Sequence, residues 1–142
     1  MKFGYPLKDA IMKAIDYYKH KLEFETDSAD LFNLMQTAEI KNIVIVDTRI
    51  KDAYEKEHIV HAINLPNREV TDESLNHLDK NKLYVTYCSG VGCNGSTKGA
   101  LKLAEAGFIV KELIGGITCW KEEGYETEGL QAFSPPANNC GC

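Results

Sequence analysis

The side chains of this 142-residue chain best suited to covalent chemistry are its five cysteines. They fall as Cys88 with Cys93, Cys119 alone, and Cys140 with Cys142. Cys88 opens the stretch Cys88-Ser89-Gly90-Val91-Gly92-Cys93-Asn94-Gly95-Ser96, which follows the run Leu83-Tyr84-Val85-Thr86-Tyr87 and leads into a helical pattern. Gly90, Gly92 and Gly95 permit a backbone with positive φ, so successive amide N–H groups can point into one cavity. The helix beyond adds its own free N–H groups and the positive end of its dipole. Such a cradle suits an anion. A cysteine at its mouth has a lowered thiol pKa and reacts as the nucleophilic thiolate.

The same residues have other readings. Free cysteines are often small buried hydrophobes, and Cys88 at a strand end fits that role. Gly90-Val91-Gly92-Cys93-Asn94-Gly95 matches the G-x-G-x-x-G of nucleotide-binding loops, with Glu112 downstream as the ribose-binding acid. Against it, less than half of the chain remains after this loop, too little for the larger unit that the fingerprint opens. A Walker-type phosphate loop fails because Gly95 is followed by Ser96-Thr97-Lys98. Cys93 either shapes the loop or is a resolving thiol that attacks an oxidised or persulfidated Cys88. Cys140 and Cys142 could deliver a thiol to the loop, bind a metal, or do neither. Cys119, beside Trp120, reads as a core or half-buried residue. His20, His61 and His77 show no ligand spacing with the cysteines, which argues against zinc, so no metal site is expected. An odd cysteine count, behind a start without the apolar run of a secretory leader, argues for free thiols over a disulfide scaffold.

The elements that must position this loop follow from hydrophobic pattern. Leu7, Ile11, Ile15, Tyr18 and Leu22 lie on one face of an amphipathic N-terminal helix. Its stripe would either cover a face of its own domain or form a contact between two copies, a homodimer. A short strand is expected at Leu22 to Thr26, then a helix capped by Asp27 that carries Leu31, Leu34 and Met35. Ile43-Val44-Ile45-Val46 reads as a strand covered on both faces, as in a parallel sheet. A helix from Lys51 to Glu57, a strand at Ile63 to Leu65 and a helix from Asp72 to Leu78 follow. Leu83 to Tyr87 is the next strand, then a helix from Ser96 to Ala106, a strand from Ile109 to Leu113 and a helix around Ile117 to Glu123. Strands alternating with helices imply an α/β fold, a mainly parallel sheet with helices on both faces. The organisation read from this pattern is an N-terminal helix over 1–21, one domain over 22–128 and a flexible cysteine-containing tail over 129–142.

Composition sets the outer bounds. A length of 142 residues suits one compact domain. The apolar fraction is 44 % and the charged fraction 26 %, ordinary for a globular protein. Net charge is −5 with the basic residues scattered, so neither nucleic acid nor an anionic membrane is an expected partner. No stretch approaches the roughly 18 apolar residues of a membrane span, and a cytoplasmic location is the default.

Four ordered motifs resemble the rhodanese domains, a family of sulfurtransferases. Val44-Ile45-Val46-Asp47-Thr48-Arg49 looks like their strand-Asp-x-Arg signature. Glu57-His58-Ile59-Val60-His61-Ala62-Ile63-Asn64-Leu65-Pro66 resembles the Gly-His-Ile-x-Gly-Ala-x-Asn stretch, with Glu57 and His61 in place of its glycines. Leu83 to Cys88 looks like the strand that delivers the active cysteine, and Leu113-Ile114-Gly115-Gly116-Ile117-Thr118-Cys119-Trp120 resembles the closing Gly-Gly-x-x-x-Trp. The likeness covers residues 22 to 125. It implies a rhodanese-like fold of about five strands plus the extra N-terminal helix. It also implies an enzyme in which Cys88 takes a sulfane sulfur from thiosulfate or a persulfide and hands it to a thiol, a protein cysteine or cyanide. Ser89, Gly90, Val91, Gly92, Cys93, Asn94 and Gly95 would then bind the substrate. Asp47 and Arg49 would form a supporting ion pair and His58 a packed, hydrogen-bonded imidazole, with no cofactor. The loop is longer than the commonest rhodanese loop and holds no arginine or lysine. That argues against tight binding of free thiosulfate and against the related phosphatases and arsenate reductases, whose loop arginine holds an oxyanion. A non-catalytic or redox-sensing module using Cys88 and Cys93 is the contrasting reading.

Overall fold

The computed structural model describes residues 6–134. Helix α1 spans Leu7–Phe24 and strand β1 follows at once as Glu25–Thr26. The helix runs past its expected end, and Lys21 pairs with Glu25 across its last turn, Nζ to Oε2 at 2.6 Å. The strand expected from Leu22 is correspondingly reduced. Helix α2 (Ser28–Met35) starts at Asp27, whose Oδ1 accepts from the Asp30 N–H at 2.8 Å. Strand β2 (Ile43–Asp47), helix α3 (Lys51–Lys56), strand β3 (His58–Ile59) and strand β4 (Ile63–Asn64) come next. Helix α4 (Asp72–Leu75) is opened by a capping box between Thr71 and Ser74. Strand β5 (Leu83–Tyr87), helix α5 (Gly95–Glu105), strand β6 (Ile109–Leu113), helix α6 (Gly116–Glu122) and strand β7 (Thr127–Glu128) complete the order.

Five strands form one parallel sheet in the order β1-β6-β5-β2-β4. The β-branched runs lie at its centre, as their two-sided apolarity requires. Alternation along β5 splits the core. Val85 and Tyr87 join Ile45, Leu31 and Met35 of α2, and Ile117 and Trp120 of α6 on one face. Tyr84 joins Val46, Leu75 of α4, Leu103 of α5 and Phe108 on the other. The sheet therefore carries helices on both faces, as expected. Strands β3 and β7 form a separate antiparallel pair with His58 opposite Glu128. The chain after β7 turns back, Leu130 N–H donating to Glu55 O at 3.1 Å and Gln131 N–H to Lys56 O at 2.8 Å. None of the residues of α1 is buried, so its apolar stripe does not cover a face of its own domain. Among the described residues, no helix is long and apolar enough to cross a membrane.

Candidate functional site

Adjacent strands β2 and β5 send their chains in opposite directions across the sheet. β2 leads to β4 at one edge, and β5 leads through α5 to β6 on the other side. The crevice between the carboxyl ends of two such strands is where open parallel sheets bind ligands. Asp47 stands in register with Tyr87, so the residues that follow them, Thr48 and Cys88, meet at this crevice. Both are 6 % exposed. The Thr48 N–H and hydroxyl donate to Tyr87 O at 3.0 and 2.9 Å, locking the end of β2 to the end of β5.

Cys88 forms a disulfide with Cys93, their Cα atoms 6.2 Å apart. This corrects the expectation of free thiols at these positions. A separation of five residues is bridged because the loop folds back on itself, Cys93 N–H donating to Gly90 O at 3.1 Å. Helix α5 then begins at Gly95, where a Cβ would stand 3.0 Å from Cys88 Sγ and 3.4 Å from Cys93 Sγ. Glycine there admits both sulfurs against the first turn of the helix. The Gly95 N–H points at Cys93 Sγ at 3.5 Å.

Contrary to the expectation of a left-handed loop backbone, none of Gly90, Gly92 and Gly95 has a positive φ. At this site the glycines with positive φ are Gly115 (φ 81°) and Gly116 (φ 58°), across the crevice. A Cβ on Gly116 would collide with Cys88 O, so the bare backbone of α6 seats the base of the loop. Ile117 N–H donates to Cys88 O at 3.1 Å, and the Thr118 N–H and hydroxyl donate to Ser89 O at 3.0 and 2.7 Å.

Asp47 and Arg49 lie under this crevice as an ion pair, Arg49 Nη2 to Asp47 Oδ2 at 2.7 Å and Nε to Oδ1 at 3.0 Å. Arg49 Nη2 also donates to Glu57 O at 2.6 Å. Burial works against the guanidinium, yet the hydrogen bonds and charge of Asp47 leave its pKa raised. Tyr87 donates its hydroxyl to Asp47 Oδ2 at 2.7 Å and accepts from the Ile59 N–H at 3.0 Å. Burial, and after it the charge of Asp47, holds the Tyr87 phenol well above its ordinary range, so it stays protonated. His58 belongs to another part of the molecule, the ladder between β3 and β7. Its Nδ1 lies 2.7 Å from Tyr54 O, its ring stacks on Tyr54 at 3.9 Å, and its Nε2 is 3.3 Å from Glu128 Oε2.

A cavity of about 100 Å³ opens at the loop, and Cys88, Val91, Cys93, Ser96, Glu25 and Glu112 contribute to its lining. That is small beside the roughly 300 Å³ or more that larger organic ligands occupy. Its lining holds two carboxylates and no lysine or arginine. Glu112 accepts from the Ser96 and Thr97 hydroxyls, both at 2.8 Å, and so pins the first turn of α5 rather than waiting for a ribose. A hollow of about 580 Å³ beside Phe32, Trp120 and Tyr125 contains none of the loop residues.

Thr48, Thr118 and Glu25 are site residues that the sequence left without a role, and Glu112 was read only as the acid of a nucleotide-binding loop. For Thr48 a signal existed, since strand alternation sends it to the face opposite Asp47 and Arg49, where Cys88 lies. For Thr118 and Glu25 nothing local foretold the contact. Cys119 is free and half-buried. Cys140 and Cys142 lie outside the described residues. Among the described residues, no group of three or more His, Cys, Asp or Glu side chains could hold a metal ion.

A family model described as "Rhodanese-like domain" matches residues 28–123. The chain is 40 % identical over 83 residues to a protein of Coxiella burnetii named thiosulfate sulfurtransferase GlpE, covering 57 % of this chain and 74 % of that one. It is 33 % identical over 73 residues to thiosulfate sulfurtransferase PspE of Escherichia coli, covering 51 % and 68 %. Among solved structures, the BH2092 protein of Bacillus halodurans superposes with a TM-score of 0.79 at 42 % identity, covering 84 % of this chain and 87 % of that one.

Proposed function

The chain belongs to the rhodanese-like family, and from that premise we propose that it is a sulfurtransferase working through a persulfide on Cys88. The supporting observation is the position of the Cys88 sulfur, against the first turn of α5 at the carboxyl ends of β2 and β5. A helix N-terminus lowers the pKa of such a thiol and stabilises the anion that replaces it. Once reduced, the Cys88 thiolate attacks the outer sulfur of a donor, expelling sulfite from thiosulfate or a thiolate from a persulfide. The persulfide anion keeps its charge against the start of α5. A thiol, a protein cysteine or cyanide then accepts the outer sulfur. The chemistry needs no metal or organic cofactor.

The lining bears on the donor. It carries Glu25 and Glu112 and no lysine or arginine. Lys21 pairs with Glu25 at 2.6 Å, which leaves Glu112 to oppose the dianion thiosulfate more than a singly charged or neutral persulfide. Small persulfide donors are therefore the better match, in the reducing cytoplasm where such species and free thiols coexist.

The test is mass spectrometry of the reduced protein after exposure to thiosulfate or to a small-molecule persulfide, read with Cys88→Ser beside it. The expected result is sulfur uptake, seen as an added sulfur atom or as sulfide released, in the wild type and none in the variant. No uptake from any sulfane donor overturns the proposal. The Cys88–Cys93 disulfide favours a second reading, a redox-sensing module. On that reading oxidant closes the bridge and sulfane donors leave the reduced protein unchanged.

A further inference from the structure

Canonical sulfur transfer through one cysteine leaves Cys93 without a task, yet the loop is built around it. We infer that Cys93 is the resolving thiol of this enzyme, so that turnover passes through the Cys88–Cys93 disulfide and releases hydrosulfide. The inference rests on the Cys88 persulfide proposed above. Three observations carry it.

First, the two sulfurs are bonded with Cα atoms 6.2 Å apart, inside the span of roughly 4.4–6.8 Å that a disulfide accepts. Secondly, hydrogen bonds of the loop hold Cys93 in that place. Its N–H is tied to Gly90 O at 3.1 Å, its sulfur accepts the Gly95 N–H at 3.5 Å, and Asn94 O already receives the Lys98 N–H of α5 at 3.0 Å. Thirdly, access differs between the two. Cys88 is 6 % exposed, whereas Cys93 is half-buried on a rim where Val91 is 85 % exposed. An outside acceptor, like the donor before it, has to reach the Cys88 sulfur through a cavity of about 100 Å³. A thiol already held beside it needs no second encounter and has a high effective concentration.

The step balances within the loop. The Cys93 thiol gives up its proton, and its sulfur attacks Cys88 Sγ. The Sγ–Sγ bond forms while the bond from Cys88 Sγ to the outer sulfur breaks. The outer sulfur leaves with the bonding pair, takes the proton and departs as HS⁻. The sulfane sulfur is thereby reduced to sulfide, and the two cysteines are oxidised together to the disulfide. A dithiol then restores the enzyme and is itself oxidised to a disulfide. It attacks the more accessible Cys93 sulfur, and Cys88 leaves as the thiolate stabilised by α5. The second substrate is thus a dithiol reductant, which receives no sulfur, rather than a sulfur acceptor such as cyanide.

A single-turnover experiment decides this. Reduced full-length protein, freed of reductant, receives one equivalent of a small-molecule persulfide, and both hydrosulfide and intact mass are followed. The expected wild-type result is a burst of hydrosulfide with loss of two hydrogens from the protein, and a peptide map joining Cys88 to Cys93. Cys93→Ser and Cys93→Ala are expected to keep the added sulfur on Cys88 and to lose the burst. A wild type that holds the added sulfur as long as Cys93→Ser overturns the resolving role while leaving the Cys88 persulfide intact. A bridge from Cys88 to Cys119, Cys140 or Cys142 overturns the assignment to Cys93. Absence of sulfur uptake in every form is a failure of the underlying sulfurtransferase reading instead.

Discussion

Beneath the sulfur chemistry, one buried phenol holds three segments together. Tyr87 is fully buried, and its hydroxyl links Asp47 on β2 to the Ile59 N–H on β3, while its own residue ends the strand that delivers Cys88. Replacing it with Phe leaves the ring in place but strands the Ile59 N–H and removes one partner of a buried carboxylate. We expect Tyr87→Phe to destabilise the fold by about 2 kcal/mol, seen as a lower urea midpoint at an unchanged slope. The alkaline behaviour has a definite sign. The folded-state pKa of Tyr87 is raised, so the stability it contributes is fully present below the unfolded value of 10.0 and is lost as pH rises beyond it. Above that pH, each further unit should cost the wild type about 1.4 kcal/mol more than Tyr87→Phe, until the folded-state value is reached. Parallel slopes for the two proteins would contradict the assignment.

The elements around the loop were legible to different degrees. The strand ending at Tyr87, the helix entered through Gly95 and the break at Gly115-Gly116 all follow from local pattern. What pattern could not carry is the direction in which a glycine is used. Gly90, Gly92 and Gly95 stand in a sequence that permits left-handed backbone, but once the loop closes on Cys93 that freedom is not needed. It is needed instead by Gly116, because the start of α6 passes against the carbonyl of Cys88, a contact between residues 28 positions apart. An Ala at Gly116 meets both a left-handed φ of 58° and a collision with Cys88 O. Gly116→Ala is therefore expected to cost about 2 kcal/mol and to displace the loop enough to slow sulfur uptake at Cys88. Thermal unfolding and the rate of mass gain measure the two effects. A variant as stable and as reactive as the wild type would show that α6 does not seat the loop.

At the scale of the whole molecule, the alternating pattern of strands and helices was enough for the parallel sheet, because two-sided apolar strands admit few other solutions. The β3–β7 pair was not legible, since it joins residues as distant in sequence as His58 and Glu128 and no apolar run marks Thr127-Glu128. The place of α1 was legible only as a pair of alternatives. Its stripe is strong, but whether a stripe is buried depends on a surface elsewhere, and here Leu7, Ile11, Met12 and Ile15 are 43–63 % exposed. Where the helix does approach the body, it does so through its last two turns, with Tyr17, His20 and Phe24 near Leu101, Ala104 and Val110. The first half of α1 thus adds little apolar burial to the folded chain, and its loss removes little stabilisation. A chain beginning at residue 17 should keep its unfolding temperature within about 4 °C of the full-length protein. It should also take up sulfur at the same rate, because the loop, Thr48, Glu25 and Glu112 are all retained. A much larger fall in unfolding temperature would mean that the stripe is covered in solution, and a fall that deepens with protein concentration would place the cover on a second copy of the chain.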